Sequence, residues 1–226
     1  MLTISLEPAV RASWALADNV HATAVDDDLV FLDVSTDAYL CVPGGAADLQ
    51  IADDGATLRI SSTELADDLQ AAGLVQRLSG GPPAAPRRKA WPPTDSALER
   101  AYCPPTWRDA PVAAAAVLDV ALAYRSHSLS QIVSRTVAPR ARLATSTLEE
   151  TLNRFQRWIP YAPVSGKCLL RSFMLRRVLQ QHGHPHDWVF GVTVWPFKAH
   201  CWLQAESLVL DDTAENVVAY RPIMVV

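Results

Sequence analysis

The stretch Gly80-Gly81-Pro82-Pro83-Ala84-Ala85-Pro86-Arg87-Arg88-Lys89, extended by Pro92-Pro93, constrains this chain more than any other feature. Proline has no backbone N–H and a locked φ, and glycine is the most costly residue to fix, so neither a helix nor a sheet runs through it. A chain of 226 residues broken at this point divides into a unit over 1–80, a proline-rich linker over 81–94 and a larger unit over 95–226. The basic triplet Arg87–Lys89 reads as solvated linker and not as a phosphate-binding patch, because charge runs between structured units are usually hydrated.

Composition limits what the two units can be. Half of the residues are hydrophobic and 19% are charged, a globular balance that excludes disorder as a description of the whole chain. A net charge of −4 and a pI near 5.8 argue against nucleic acid as a partner. No run reaches the roughly 20 apolar residues that cross a bilayer; the longest candidate, Val112–Tyr124, carries Asp119. The start, Met1–Glu7, lacks a basic signal-peptide n-region, so the expected setting is cytoplasmic, away from membranes. The four cysteines, Cys41, Cys103, Cys168 and Cys201, contain no CxxC pair and are expected as free thiols there.

Short β-like runs open the first unit: Leu2–Leu6, Val20–Val25, Leu29–Val34 and Ala38–Val42. Asp26-Asp27-Asp28 and Ser35-Thr36-Asp37 read as polar turns between them. A weak helical stretch over Gly44–Ala52 follows. A stronger one opens at a capping box, Ser61-x-x-Glu64, carries Leu65, Leu69 and Ala72, and ends at Gly73. Leu74-Val75 returns to strand. In the second unit helices are expected over Val112–Tyr124, Ser128–Val137, Thr147–Trp158 and from Ser165 to about Gln181, punctuated by Pro139, Pro160 and Gly183. Strands are expected over Trp188–Trp195, His200–Ala205 and Ser207–Leu210. The fold class is therefore α+β, with helices packed on a short antiparallel sheet.

Three side chains in that second unit can carry chemistry. Cys168 follows Ser165-Gly166-Lys167, a plausible cap and first turn, and precedes Leu169, Leu170, Phe173, Met174 and Val178 at helical spacing. A sulfur at a helix start lies beside unpaired N–H groups and the positive end of the dipole, which favours the thiolate nucleophile; the alternative is an inert buried thiol. His200 begins a strand, with Trp202 and Gln204 on its face and Cys201 and Leu203 on the other; alone, it is as well read as a structural histidine. Asp211-Asp212 ends the next strand, where a carboxylate could orient the imidazole or simply be a solvated turn.

The order Cys, His, Asp, together with Cys168-Leu169-Leu170-Arg171, Pro196-Phe197-Lys198-Ala199-His200-Cys201-Trp202 and Leu210-Asp211-Asp212, resembles the leader peptidases of lasso-peptide biosynthesis. The resemblance spans roughly 155–226 and is most specific in the Pro-Phe-x-Ala-His-x-Trp stretch. It implies a transglutaminase-like or papain-like cysteine protease fold with Cys168 as nucleophile, His200 as base and Asp212, rather than Asp211, as orienting acid. More weakly, 1–80 is similar to a small winged-helix-like element that binds leader peptides. There the leader would add as a strand along Asp37, Ala38, Tyr39, Leu40 and Cys41, in a groove closed by the helix carrying Leu65 and Leu69. With both in one chain, the linker would raise the effective substrate concentration to the order of mM. The implied partners are a precursor peptide and an ATP-using macrolactam cyclase. No P-loop pattern occurs, so this chain itself is expected to need no cofactor.

Other features carry bland readings. His182-x-His184-x-His186 lacks companion ligands for a metal. Cys201 is expected to be a small core residue turned away from His200, Cys41 and Cys103 to be structural, and Trp202 either to pack or to line the cleft. Two further functions stay open on the residues alone: acyl transfer to an amine through the same thioester, and a non-catalytic peptide-binding scaffold.

Overall fold

The computed structural model describes residues 13–78, 85–99, 114, 117, 118, 128–136, 138, 146–161 and 168–226. The expected strand Leu2–Leu6, most of the helix Val112–Tyr124, the cap Ser165–Lys167, Cys103 and residues 79–84, which include the start of the linker, lie outside them.

The N-terminal part is built from β1 (Trp14–Leu16), β2 (Val20–Val25), β3 (Asp28–Asp33), β4 (Ala38–Val42), β5 (Leu49–Ile51), β6 (Thr57–Ile60), α1 (Thr63–Ala71) and β7 (Val75–Arg77). They form a four-stranded sheet in the order β5-β6-β1-β7 and a three-stranded sheet in the order β2-β3-β4. The expected helix over Gly44–Ala52 is instead a 3-10 turn, Gly45–Ala47, followed by β5. Asp53-Asp54-Gly55 supplies the reason. Asp54 accepts the N–H groups of Ala56 and Thr57, and Gly55 adopts φ +68°, which closes a β5–β6 hairpin. The cap of α1 is Ser62, whose Oγ accepts the Leu65 N–H; Ser61 bonds back to Asp48. Gly73, at φ +72°, ends the helix as expected. With one α-helix among its described residues, this part is richer in strand than a winged-helix reading implies.

The C-terminal part contains β8 (Asp95–Ser96), α2 (Leu129–Ser134), α3 (Leu148–Trp158), α4 (Cys168–His182), β9 (Asp187–Thr193), β10 (Lys198–Ala205), β11 (Leu208–Val209), α5 (Ala214–Val217) and β12 (Arg221–Val225). Its sheet runs β12-β9-β10-β11-β8, antiparallel except for β8 against β11. Capping boxes at Ser128 and Thr147 start α2 and α3. The β9–β10 hairpin is the spine: seven residue pairs run from Lys198↔Thr193 to Gln204↔Asp187.

β3 joins the two parts. Its residues alternate between two cores. Leu29 and Phe31 bury with Trp14, Leu16, Leu49 and Leu69 on one side. Val30 and Leu32 enter the large core of Ile132, Phe155, Leu175, Phe190 and Met224 on the other. The segment after residue 84 is also held, contrary to the solvated-linker expectation. The Arg87 guanidinium donates to the carbonyls of Ala17, Asp18 and Val20, and Arg88 pairs with Asp187. Asp28 likewise leaves the turn assigned to it: it is buried in β3, where Oδ1 accepts the Gly44 N–H.

Gly191, opposite His200 in the ladder, is required by close approach: a Cβ there would meet the Trp202 ring and the Tyr220 Cβ at 2.9 Å. Gly191→Ala is therefore expected to destabilise the protein by about 1–3 kcal/mol through overpacking, read as a lower Tm.

Candidate functional site

Cys168 is the first residue of α4, a helix of 15 residues packed on β10. Its sulfur thus sits where the free N–H groups of the first turn emerge. Behind it, Ser172 is one turn on and donates to the Cys168 carbonyl at 2.9 Å. The Ser172 hydroxyl also accepts the Trp188 indole N–H at 3.0 Å and lies 3.3 Å from the Cys201 sulfur. The helix start is in this way fastened to both β9 and β10.

His200 lies on β10, partly buried between two aromatic rings, with its ring centroid 5.0 Å from Tyr220 and 6.0 Å from Trp202. Nε2 meets Asp212 Oδ2 at 2.6 Å. With that nitrogen committed, Nδ1 is the ring atom left free to interact with the neighbouring Cys168, which raises the imidazole's pKa. Asp212 precedes the cap of α5 and is pinned by it. Oδ1 accepts the Thr213 N–H at 2.7 Å, and Oδ2 accepts the Asn216 side-chain amide at 2.9 Å. Asp211, next to it, faces inward and accepts the Leu203 N–H at 2.8 Å. Burial lifts the Asp211 carboxyl to about 7, whereas hydrogen bonds from His200, Thr213 and Asn216 outweigh burial and hold Asp212 below the usual carboxylate range.

The electrostatics favour an ion pair. Hydrogen bonds from the Cys201 thiol first, and from His200 second, bring the Cys168 thiol down to about 4 against the cost of burial. Burial pulls the His200 imidazolium down, but its bonds to Asp212 and Cys168 win and raise it to about 9. Across neutral pH the arrangement holds a thiolate beside an imidazolium, a nucleophile with a proton donor alongside.

The structure thus brings Cys168, His200 and Asp212 together: His200 is hydrogen-bonded to Asp212, and Cys168 and His200 lie close enough to shift each other's pKa. Trp202 is 1% exposed and packs under His200 instead of lining a cleft. Cys201 is buried as expected, and its thiol does more than any other group to hold the Cys168 pKa down. That role was hidden in the sequence by strand alternation, which turned Cys201 away from His200 and, without the position of α4, said nothing of Cys168. The small helix α5 was also missed; Thr213 before Ala-Glu-Asn is the cap signal that could have found it.

The residues expected to hold a leader are not all together. Asp37, at φ 55°, is in the turn before β4, and Ala38, Tyr39, Leu40 and Cys41 lie on β4, the outer strand of its sheet. Leu69 is buried in the N-terminal core and Leu65 packs against it, so α1 serves that core and does not close a groove beside β4. The wall next to Tyr39 and Cys41 is instead the tip of the β9–β10 hairpin: Val194, Trp195 and Phe197. Trp195 was expected within a strand; β9 ends at Thr193, and the Trp195-Pro196 pair makes the turn. In the histidine tract, His182 and His184 both meet the Thr151 hydroxyl, and His186 Nδ1 contacts the His184 carbonyl.

Alkylation by iodoacetamide, mapped by mass spectrometry, tests the ion pair. Cys168 is expected to react with a midpoint near pH 4, far below a free thiol near 8.5. Cys201→Ala is expected to move that midpoint upward.

A family model described as the transglutaminase-like superfamily matches residues 112–225, which include all three of these side chains. No curated protein and no solved structure matches the chain.

Proposed function

The chain belongs to the transglutaminase-like superfamily, a fold of cysteine peptidases and acyltransferases, and from that premise we propose that it is a cysteine peptidase that removes the leader from a lasso-peptide precursor. The observation that carries the reading is the convergence of Cys168, at a helix start, on a His200 that is hydrogen-bonded to Asp212. The family assignment supports the chemistry; the leader as substrate rests on the Pro196-to-Trp202 resemblance and on the open strand β4 beside the site.

The steps follow from the charges. The Cys168 thiolate bonds to the scissile carbonyl carbon, and the carbonyl oxygen takes up the negative charge near the Cys168 backbone N–H. The C–N bond then breaks as the His200 imidazolium gives its proton to the leaving amine, which leaves a thioester. Water attacks the thioester, His200 takes one of its protons, and the C–S bond breaks to re-form the thiolate and release the carboxylic acid, which loses its proton to solvent. Asp212 keeps the imidazole in one orientation throughout and stabilises its charged form.

Recognition is proposed at β4. Among the described residues it pairs only with β3, so its outer edge can accept an extended leader as an added strand. Because β3 lies in both cores, the capture strand and the nucleophile are held at a fixed separation and not joined by a loose tether. The precursor peptide and an ATP-dependent macrolactam cyclase are the proposed partners, and the chain acts without a cofactor of its own.

The test is mass spectrometry of the protein incubated with a short peptide encoded beside its gene. Leader and core fragments are expected, and Cys168→Ala is expected to reduce their formation by at least about 10³-fold. An amine adduct or loss of ammonia without cleavage would replace the peptidase reading with acyl transfer. The pH profile of kcat/KM follows the charge states. It should rise through about 4 as Cys168 loses its proton and fall through about 9 as His200 loses its own.

A further inference from the structure

An apolar cavity of about 170 Å³ opens between β4 and the tip of the β9–β10 hairpin, lined by Tyr39, Cys41, Val194, Trp195 and Phe197. One wall comes from the N-terminal part and the other from the C-terminal part. The Tyr39 and Phe197 rings join the two walls in a tilted contact, their centroids 5.4 Å apart. A dry cavity of about 150 Å³ takes one benzene ring, so this one accepts a single large apolar side chain.

Three observations separate the cavity from an ordinary packing defect. First, large apolar groups of its lining are left in water: Trp195 is 76% exposed and Phe197 47%. Such clustering marks a binding surface, whereas single exposed apolar residues do not. Second, the hairpin tip is held in place. Trp195 adopts φ 52°, a left-handed conformation that a bulky residue rarely takes. Its indole N–H donates to Asp28 Oδ2 at 2.6 Å, and Asp28 is itself buried and bonded to Gly44. A protein that only needed to turn its chain would not require an anchored tryptophan there. Third, the cavity adjoins the reactive centre. Phe197 leads directly into β10 and His200, and Tyr39, Cys41 and Cys168 pack against the same core, which contains Cys201.

We infer that this cavity is a specificity subsite which takes one large apolar side chain, aromatic or leucine-like, from an extended peptide whose backbone runs along β4 and whose reacting carbonyl meets Cys168. The inference deepens the peptidase reading and rests on it. The subsite needs both halves of the molecule, so it couples leader capture on β4 to placement of the scissile bond. It also explains why the wall beside β4 is the hairpin and not α1.

The probes are iodoacetyl tripeptide amides in which Phe, Leu, Ser or Asp occupies each position in turn among glycines. The pool is offered to the full-length protein in competition, and adducts on Cys168 are counted by mass spectrometry. Each protein's counts are divided by its own rate with iodoacetamide. At one position the Phe and Leu probes should exceed the Ser and Asp probes by about tenfold or more, the scale on which an apolar pocket discriminates. Phe197→Ser, which removes a wall, and Val194→Trp, which fills the space, should each reduce that preference to within about twofold. Equal incorporation in the unaltered protein, or a preference that survives both substitutions, would overturn the subsite while leaving the nucleophile intact. If Cys168 takes up iodoacetamide itself no faster than free cysteine, the peptidase reading fails and this inference falls with it.

Discussion

The structure depends on the two-sided burial of β3. Leu29 and Phe31 point into a core made with Trp14, Leu49 and Leu69, while Val30 and Leu32 point into the core that also supports α4 and the β9–β10 hairpin. A strand buried on both faces has no solvent side to rotate toward, and a one-residue slip would exchange its two sets of side chains between unlike cavities. Its register is therefore strongly specified. β4 is hydrogen-bonded to β3 from Leu29↔Val42 to Asp33↔Ala38, so the outer strand inherits that precision and comes to rest beside the hairpin tip.

The reactive centre is built on the same economy of supports. The sulfur is placed by a helix start, the imidazole by a central strand, and the carboxylate by the residue before a four-residue helix. Each is held by contacts that do not involve the other two: Ser172 and Trp188 behind Cys168, Tyr220 and Trp202 around His200, Thr213 and Asn216 on Asp212. Such a site is organised before any substrate arrives, which is where much of the gain of an enzyme over a solution thiol lies. Asp211 contributes differently. Its bond to the Leu203 N–H fixes the turn that aims Asp212 outward.

Much of this was legible in the sequence where local signals were strong. Val20–Val25 and Ala38–Val42 appear with their expected bounds because apolar runs flanked by Asp and Ser-Thr turns have little alternative. Thr147 and Gly183 mark helix ends for equally local reasons. The chain order of Cys168, His200 and Asp212 pointed to the site, since each stands at the start or end of a readable element. What escaped was non-local. β1 and β5 have three residues each, too few to show a period. β8 is a strand only because it lies parallel to β11, more than a hundred residues later. Asp28 looked like a turn residue because its partners, Gly44 and Trp195, are brought to it by tertiary packing. Leu65 and Leu69 were placed on the right helix but assigned the wrong neighbour, because helical spacing identifies an apolar face and not what covers it.

The alternating strand at the centre also bears on how such a molecule can be inherited. Fused proteins are often pictured as beads that recombination can trade one at a time. Here an exchange of the front half would carry Val30, Leu32 and Val34 away from a foundation they share with Phe190 and Met224. A hybrid would have to match the incoming strand to the resident interior, every second side chain at a time. Ancestry in such a lineage should therefore be traced for both halves together, as for a single gene product that diversifies in concert.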